Sequence, residues 1–567
     1  MAADTTKPVL VLGESNRATL AVVRSLGRRG IPVHLGCAQM SSVAASRYVK
    51  KVIMLPSQSS HKSAWIEAIA RASREYGYAL IIPTTEGTAV PLILERSKIE
   101  SIAKCAIPAT EQFQRTSDKR QTVLLAKELG VPLPKTVIVE HESDLRAALL
   151  QFTAPFVIKP AFSRIWQDDT EIGLGVKIAN TAQEATEMGA SLLAHAPVLI
   201  QDHVEGVGVG QEFLCRDGEI IYAFQHDRLR EYKGSGGSTY RVSAPLHAGM
   251  LEASRKLLKA LQWNGVVMVE YRFDASTDIF ALIEINGRFW GSLPLPVSLG
   301  IDFPYGLYQE CIGEIAMKSA GYPAGIYARS MFEDVGQMRR SGASFVDLIS
   351  EYALALTWLF SGKEHWDQFS LDDPMPFINV CRGFVAKAVQ SLSRWLSFSQ
   401  FKYLIPPLRS IARHALFRDF KNARSVLFLC YGNINRSAFA EGYFRQKDKI
   451  RTVRSAGEHK KTGRSASVEA KQAADKWGIT LESHLSSVLN KELVKEADVI
   501  FVMDTMNMKF LESNFPEALT KAYFFGLISE SGPLSISDPY SHSSDMFDRT
   551  FTRIALLIDR LEAGLAH

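Results

Sequence analysis

A strand, turn and helix pattern around one cysteine constrains this sequence most. Residues 425–441 read SVLFLCYGNINRSAFAE, and the apolar run VLFL ends at Cys430. Such a run is typical of a buried parallel strand, and a helix is predicted to start near Ser437. The turn between them would direct backbone N–H groups and the guanidinium of Arg436 at one point, which makes a phosphate cradle. We expect this field to hold Cys430 as a thiolate; the alternative is a buried structural cysteine.

The same residues resemble the loop of the low-molecular-weight protein-tyrosine-phosphatase family, which reads C-x-G-N-x-C-R-S. The chain departs at Asn435, where that family usually has a second cysteine. The residues in register with the loop are Cys430, Gly432, Asn433, Arg436 and Ser437. Three later segments match further family motifs: 454–457 (RSAG), 497–504 (ADVIFVMD) and 538–540 (DPY).

This resemblance implies a reaction and the residues that perform it. Cys430 would be the nucleophile and form a phosphocysteine, Arg436 would bind the phosphoryl oxygens, and Asp538 would protonate the leaving group. The implied phosphate-binding loop residues are Gly432, Asn433 and Ser437. The substrate would be a phosphotyrosine protein or a small phosphomonoester. An arsenate reductase shares the cradle and is an alternative, but its resolving cysteines follow the first one, and no cysteine follows Cys430.

The N-terminal part shows a βαβ pattern. A buried-strand pattern at 8–13 is followed by a helical pattern at 17–29 and a second strand at 32–35. No G-x-G-x-x-G is present, so a dinucleotide site is not predicted. Another apolar strand, 79–82, leads into the segment PTTE at 83–86. Strand ends of this kind often carry ligands in α/β sheets, and a packing domain without a ligand is the alternative.

Two acids lie within apolar strands further along the chain. Glu270 belongs to the run GVVMVEYR, and Glu284 to the run IFALIEI, which Asn286 follows. Glu284 and Asn286 alternate on one strand and therefore share a face, and Glu270 would meet them from the neighbouring strand. Hard oxygen ligands of this kind suit Mg²⁺. The alternative is that each acid pairs with an arginine on an exposed face of the sheet.

The ordered pattern from about residue 9 to 320 resembles the ATP-grasp superfamily. That resemblance implies that Lys119 and Lys159 contact the ATP phosphates and that Glu212 takes the ribose. It also implies that Glu270, Glu284 and Asn286 hold Mg²⁺, with Mn²⁺ as an alternative ion. The remaining residues expected to bind ATP are Gln201, Asp202, Val204 and Arg288.

A chain of 567 residues is too long to form a single hydrophobic core, so we predict an α/β multidomain protein. Four domains are expected: an N-terminal βαβ domain (1–115), an α+β ATP-grasp domain (116–320), a basic helical connector (321–423) and an α/β phosphatase with a four-stranded-type parallel sheet (424–567). An apolar helical pattern at 345–360 is expected to pack in a core.

Composition narrows the location and the partners. Six scattered cysteines without a CxxC indicate a reducing cytoplasm. A net charge of +5 is mild and does not indicate a nucleic-acid partner. Residues 374–424 combine nine basic residues and one acid with interleaved aromatic residues. A connector packed on its neighbours is the preferred interpretation, and contact with the inner face of an anionic membrane is the alternative.

The sequence therefore predicts two enzymes on one chain. The N-terminal enzyme would be a carboxylate–amine ligase that uses ATP and Mg²⁺, forms an acyl phosphate and joins a small carboxylate to an amine. The C-terminal enzyme would be a phosphatase. The alternative for the ATP-grasp half is a nucleotide-binding sensor or scaffold that regulates the phosphatase.

Overall fold

The computed structural model describes all residues except 1–6, 15–16, 168, 233–236, 317–320, 396–402, 404, 541–542 and 565–567. For Phe345 and residues 387–395 it describes the backbone alone. The chain divides into two compact units, Met1–Ala386 and Lys387–His567, which we call unit 1 and unit 2.

Unit 1 opens with a four-stranded parallel sheet in the order β3-β2-β1-β4. Its strands are β1 Val9–Leu12, β2 Val33–Cys37, β3 Val49–Met54 and β4 Leu80–Pro83. Its helices are α1 Arg17–Arg28, α2 Lys62–Tyr76, α3 Glu86–Leu94 and α4 Arg96–Glu100. Every residue of β1 and β4 is buried, as expected for a parallel sheet covered on both faces. The predicted βαβ opening is confirmed, and β4 delivers Thr84, Thr85 and Glu86 to the carboxyl edge of the sheet.

A second sheet has the order β5-β10-β6-β9 and is antiparallel, with a separate β7-β8 hairpin after β6. The strands are β5 Thr136–Val139, β6 Phe156–Pro160, β7 Arg164–Gln167, β8 Thr170–Gly173, β9 Lys177–Ala179 and β10 Val198–Asp202. The helices are α5 Thr110–Ser117, α6 Lys119–Glu128, α7 Glu142–Leu149 and α8 Ala182–Leu193. Lys159 and Lys119 are the two lysines predicted to contact phosphate. Lys159 is the second-last residue of β6, and Lys119 is the first residue of α6.

The third sheet of unit 1 has seven strands in the order β15-β14-β11-β12-β13-β16-β17. They are β11 Val207–Arg216, β12 Glu219–Glu231, β13 Ser238–Ala244, β14 Gly265–Asp274, β15 Ile279–Asn286, β16 Tyr327–Arg329 and β17 Glu364–Trp366. Helices α9 Ala248–Ala260, α10 Pro294–Ser298 and α11 Phe303–Ile312 accompany them. Glu270 on β14 is the register partner of Glu284 on β15, so the two acids face each other across the ladder.

Residues 321–386 contain strands as well as the helices expected of a connector. Strands β16 and β17 extend the third sheet, beside α12 Met331–Arg340, α13 Phe345–Phe360 and α14 Met375–Trp395. Buried charges tie these strands together, because Arg329 contacts Glu364 at 2.6 Å and Asp334 at 3.0 Å. A sequence pattern of apolar residues does not reveal such pairing, since the partners are charged.

Helix α13 packs on the sheet through one side alone. Ala355 is buried and the Trp358 ring lies 4.9 Å from the Tyr327 ring. Val346 and Phe360 are 73% and 87% exposed, so the expectation that this apolar helix packs in a core was wrong for most of its surface. The sequence is apolar around most of the helix, and periodicity alone does not say which faces find a neighbour.

Unit 2 contains a four-stranded, entirely parallel sheet in the order β19-β18-β20-β21. Its strands are β18 Ser425–Cys430, β19 Thr452–Gly457, β20 Val499–Val502 and β21 Ala522–Phe524. Its helices are α15 Pro406–Asn422, α16 Arg436–Lys447, α17 Val468–Asp475, α18 Lys491–Glu496, α19 Thr505–Asn514 and α20 Ser544–Ala563. The predicted multidomain α/β fold class, with a four-stranded parallel sheet at the C-terminal end, is confirmed.

Several aromatic residues of 374–424 pack against their own units where the structure describes them. In unit 1 the Phe384 ring lies 4.7 Å from the ring of Phe332. In unit 2 Tyr403 and Phe420 are buried in the core. Trp395, Phe398 and Phe401 lie outside the described side chains, and membrane contact of this stretch stays a prediction. Among the described helices, none is long and apolar enough to span a bilayer.

Candidate active sites

The cradle of unit 2 forms where β18 ends and α16 begins. Cys430 is the last residue of β18 and is 3% exposed. The backbone N–H of Asn433 donates to its Sγ at 3.2 Å, and the Ser437 hydroxyl lies 3.0 Å from the same sulfur. Hydrogen-bond donors at this distance stabilise negative charge on sulfur. The structure thus brings together Cys430, Asn433 and Ser437 as the sequence predicted.

Asn433 holds the turn in an unusual backbone conformation. Its φ is +51°, in the left-handed region that asparagine tolerates better than most residues. Its side-chain amide donates to the hydroxyls of Ser437 at 3.0 Å and Ser455 at 2.7 Å, and its Oδ1 accepts from the Ser487 N–H at 2.8 Å. His484 Nε2 lies 2.7 Å from the Asn433 carbonyl oxygen. Four contacts from three segments fix the loop before any substrate arrives.

The glycine of the RSAG segment, Gly457, lies directly beside the cradle. A Cβ on Gly457, the last residue of β19, would lie 2.9 Å from the Tyr431 carbonyl oxygen and 3.0 Å from the Asn433 nitrogen. Backbone atoms this close leave no room for a side chain, so only glycine allows β19 to approach the loop. Gly432 lines the same turn, and its carbonyl accepts from Arg464 at 2.6 Å.

Arg436 is fixed by two carboxylates. It is 2% exposed, Nη1 contacts Asp504 at 2.7 Å and Nη2 contacts Asp538 at 2.6 Å. Burial works against the guanidinium charge, but the neighbouring Cys430, Asp538 and Asp504 raise the pKa of Arg436 above its ordinary value. Asp504 also caps α19 by accepting from the N–H groups of Met506 and Asn507. The sequence assigns Asp504 only to the motif at 497–504 and does not reveal that it positions Arg436. An aspartate directly after a buried strand often caps the next helix, and this pattern was the available signal.

The rim of the cradle is half open. Asp538 keeps 41% of its side chain exposed beside Arg436, and its Oδ1 accepts from the Tyr540 N–H at 3.2 Å. Tyr431 and Tyr540 are 56% and 59% exposed and offer aromatic surface beside the loop. Asn435, at the position of the family's second cysteine, is buried and accepts from the Ser467 hydroxyl at 3.0 Å. Asn435, which stands in place of the family's second cysteine, therefore makes a hydrogen bond of its own.

Unit 1 gathers most of the predicted ATP residues around two adjoining cavities. The first is lined by Lys119, Lys159, Gln201, Glu284, Asn286 and Arg288. The second shares Lys159, Gln201 and Glu284 with it and adds Asp202, Val204 and Glu270. The structure thus brings together nine predicted residues from α6, β6, β10, β14, β15 and the segments that follow β10 and β15. We call the two cavities together the nucleotide cavity.

Two carboxylate oxygens converge inside this cavity. The Asn286 amide nitrogen donates to Glu270 Oε1 and to Glu284 Oε1, both at 2.9 Å, while Arg288 donates to Asn286 Oδ1 at 3.0 Å. A donor held between two carboxylates stands where a cation would satisfy both. Among the described residues no group of three His, Cys, Asp or Glu side chains is arranged to hold a metal, so a cation here would rely on Asn286 as well. Two acids and an amide fit the hard-oxygen preference of Mg²⁺.

The charges around the acids are mutually paired. Arg228 contacts Glu270 at 2.5 Å, as in the alternative that paired each acid with an arginine, but both side chains are buried and do not lie on an exposed face. Burial raises the pKa of Glu270, with Arg228 opposing that effect. Burial also acts to raise the pKa of Glu284, but Lys119, Asn286 and Lys159 outweigh it and the net shift is downward.

The two predicted phosphate lysines differ in their surroundings. Lys119 Nζ donates to the Ser163 hydroxyl at 2.8 Å. Lys159 is 8% exposed, and burial lowers its pKa to about 8, with Glu284 opposing and Lys119 adding to that effect. A buried lysine that is charged below pH 8 suits a site that receives an anion.

Glu212 does not join the other predicted ATP residues. It is fully buried on β11, where Ser292 donates to its Oε1 at 2.7 Å, and it lines neither part of the nucleotide cavity. Burial raises its pKa to about 8. Gly208, four residues earlier on the same face of β11, is the residue of this strand that reaches the cavity. A ribose contact by Glu212 stays a prediction that its position does not favour.

Comparisons with known proteins match different relatives to the N-terminal and C-terminal parts of the chain. The family model described as low molecular weight phosphotyrosine protein phosphatase matches residues 425–567. The low molecular weight protein-tyrosine-phosphatase Ptp of Acinetobacter johnsonii is 37% identical over 132 residues, which cover 23% of this chain and 89% of that protein. The crystal structure of the tyrosine phosphatase amsI of Erwinia amylovora is similar at 26% identity and a TM-score of 0.25, covering 26% of this chain and 95% of that chain.

A biotin carboxylase from Campylobacter jejuni, solved in complex with β-γ-ATP, is similar to the N-terminal region. The identity is 15% and the TM-score 0.46, with 56% of this chain and 74% of that chain covered. The family match and the identity to Ptp concern the C-terminal part. Through residues 425–567, the chain belongs to the low molecular weight protein-tyrosine-phosphatase family, as its cysteine loop predicted.

Proposed function

We propose that unit 2 hydrolyses a phosphomonoester through a phosphocysteine on Cys430. The substrate is a phosphotyrosine protein or a small phosphomonoester. The observation that supports this most is the arrangement of one sulfur, two donors and one doubly anchored arginine. Asn433 N–H and the Ser437 hydroxyl lie at 3.2 and 3.0 Å from Sγ, and Arg436 is held beside them by Asp504 and Asp538.

Each group has a defined task in the two steps. Cys430 Sγ attacks phosphorus, the bond from phosphorus to the ester oxygen breaks, and Asp538 gives its proton to the departing oxygen. Arg436 and the loop N–H groups match the charge on the equatorial oxygens. Water then attacks phosphorus, Asp538 takes a proton from it, and phosphate leaves as the Cys430 thiolate is restored.

Rapid quench with ³²P-labelled phosphotyrosine peptide tests this proposal. Quenched in neutral detergent, the wild-type chain should yield a phosphoprotein whose label sits on the Cys430 peptide. Label on a histidine or aspartate peptide, or turnover without any labelled protein, would contradict the covalent mechanism. Cys381→Ser is a matched control, because this half-buried cysteine lies in unit 1 and should leave labelling unchanged.

We also propose that unit 1 is a carboxylate–amine ligase that uses ATP with Mg²⁺. The supporting observation is the convergence of Glu270, Glu284 and Asn286 beside Lys119 and Lys159 in one cavity. Mg²⁺, when bound, supplies charge neutralisation on the ATP phosphates. Lys119 and Lys159 would hold phosphate oxygens, and Arg288 would orient the carboxylate that receives the phosphoryl group. The amine would then attack the acyl carbon and release phosphate.

Hydroxylamine trapping tests the ligase. Full-length chain, MgATP and a carboxylate should give ADP and an acyl hydroxamate in equal amounts, and Glu284→Gln should abolish both. ATP binding without consumption, accompanied by a changed phosphatase rate, would instead support a nucleotide sensor. ADP release that needs no carboxylate would contradict both roles.

A further inference from the structure

A polar cavity of about 290 Å³ lies at the carboxyl edge of the first sheet. Its lining includes Thr84, Thr85 and Glu86, which follow β4 and open α3. Arg17, Arg164 and Arg288 bring three guanidinium groups to the same cavity. The volume is that of a small organic molecule, and the lining carries both signs of charge.

Two of these residues connect the polar cavity with the nucleotide cavity. Arg288 and Glu86 line both. Arg288 also donates to Asn286, which lies between the two acids proposed to hold the cation. A carboxylate bound to Arg288 from the polar cavity would therefore lie next to the phosphates.

Glu86 differs from the other charged residues of the cavity. Arg17 is paired with Asp367 at 3.2 Å, and Arg164 is paired with Glu171. Glu333 accepts from the Tyr232 hydroxyl at 2.5 Å. The Glu86 side chain is half-buried, and among the described residues no hydrogen bond or ion pair partners its carboxylate. A half-buried carboxylate without a partner in the protein is free to receive the cationic group of a ligand.

From this pairing we infer that the carboxylate substrate of unit 1 is a small zwitterion of amino-acid size. Its carboxylate binds Arg288 and its ammonium group binds Glu86. This inference rests on the proposed ligase function and adds the class of acid that the ligase activates. A plain dicarboxylate or a phosphate ester fits worse, because Glu86 would repel it.

Substitution of Glu86 distinguishes the two classes of acid by the sign of its effect. Glu86→Gln keeps size and removes the charge. The KM for a zwitterion should rise about tenfold or more, whereas the KM for a purely anionic acid should fall. Glu67→Gln is the matched control, since Glu67 is exposed on α2 and lines no part of either cavity.

The experiment uses the full chain with MgATP and hydroxylamine. The probes are the twenty common L-amino acids, each paired with its N-acetyl derivative, which keeps the carboxylate and loses the ammonium charge. We expect hydroxamate from at least one free amino acid and at least tenfold lower kcat/KM for its N-acetyl derivative.

Two results would overturn the inference in distinguishable ways. N-acetyl derivatives that react as well as the free acids, or a Glu86→Gln variant with an unchanged KM, would refute the zwitterion and leave the ligase standing. No hydroxamate and no ADP from any acid of either series would contradict the ligase function, and the zwitterion site with it.

Discussion

The two units build their sites from different amounts of sequence. In unit 2 the proposed nucleophile, its hydrogen-bond donors and the arginine lie within eight consecutive residues, Cys430 to Ser437. In unit 1 the corresponding groups come from five elements and two connecting segments between Lys119 and Arg288. A contiguous loop carries its own geometry, whereas a dispersed site exists only when the sheets take the right register. This is why a short pattern is enough to place the residues of the first site together, whereas the second could be proposed only from an ordered resemblance.

The sites also differ in how their charges are satisfied. The donors of the cradle point at the Cys430 sulfur, and Arg436 contacts two carboxylates. In unit 1 Glu270 is paired with Arg228 and bridged to Glu284 through Asn286. Preorganised donors cost no rearrangement when charge develops, whereas paired charges must exchange partners for ATP and a cation. We therefore expect unit 2 to act with substrate alone and unit 1 to depend steeply on metal and pH.

Apart from removal of the nucleophile itself, the largest effect should separate the two carboxylates that hold Arg436. Asp538→Asn should lower kcat/KM for phenyl phosphate by about 10²–10³-fold and for p-nitrophenyl phosphate far less, because the better leaving group needs little protonation. Asp504→Asn keeps the helix cap and should slow both substrates by a similar, smaller factor. Steady-state kinetics over a series of aryl phosphates measures both variants. Equal slowing of all substrates by Asp538→Asn would remove it from the acid role.

A smaller effect should distinguish the buried lysine of the nucleotide cavity. Because burial lowers the pKa of Lys159 to about 8, its charge is present below pH 8 and lost as the pH rises through that value. The affinity for MgATP, measured by calorimetry, should therefore fall by up to about tenfold per pH unit above pH 8. Lys159→Arg should bind with a flat profile to pH 9.5, since arginine stays charged.

A wild-type profile that is also flat to pH 9.5 would place Lys159 away from the phosphates. The Tm of the same preparations between pH 7 and 9.5 serves as the control, because it reports on the fold and not on the charge of one side chain. A loss of affinity that runs parallel to a loss of Tm would indicate a change in the whole chain.

The smallest effect concerns Glu212. Burial raises its folded pKa to about 8 from an ordinary value of 4.5, so its protonated form contributes stability that is full below pH 4.5 and lost as the pH rises through 8. Glu212→Gln has no such dependence, and its Tm should exceed that of the wild type by about 2 °C at pH 9 while matching it at pH 5. Affinity for MgATP should change less than twofold; a larger loss would restore the ribose role.

The sequence was sufficient to predict those features whose residues lie close together along the chain. The VLFL run, the turn at Asn433 and the helix at Arg436 are local, and their roles follow from strand burial and helix-terminus chemistry. The side-by-side placement of Glu284 and Asn286 follows from strand alternation. The position of Glu212 could not be deduced, because it depends on which residues of β11 reach the cavity and this is set by tertiary packing.

Other residues act through partners that are distant in sequence. Asp504 and His484 steady the cradle from segments far along the chain, and Arg228 reaches Glu270 across β11. No short motif announces such contacts. The exposed side of α13 is a similar case, since an apolar pattern predicts a preference for burial but not the presence of a neighbour.

The central claim is that one chain carries two chemically separate active sites. The most direct measurement assays p-nitrophenyl phosphate hydrolysis and MgATP-dependent hydroxamate formation on the same preparations of wild type, Cys430→Ser and Glu284→Gln. We predict that Cys430→Ser loses phosphatase activity by more than about 10⁴-fold and keeps the ATP reaction, while Glu284→Gln does the reverse. An active Cys430→Ser phosphatase, or a variant that loses both activities while still folded, would contradict the account.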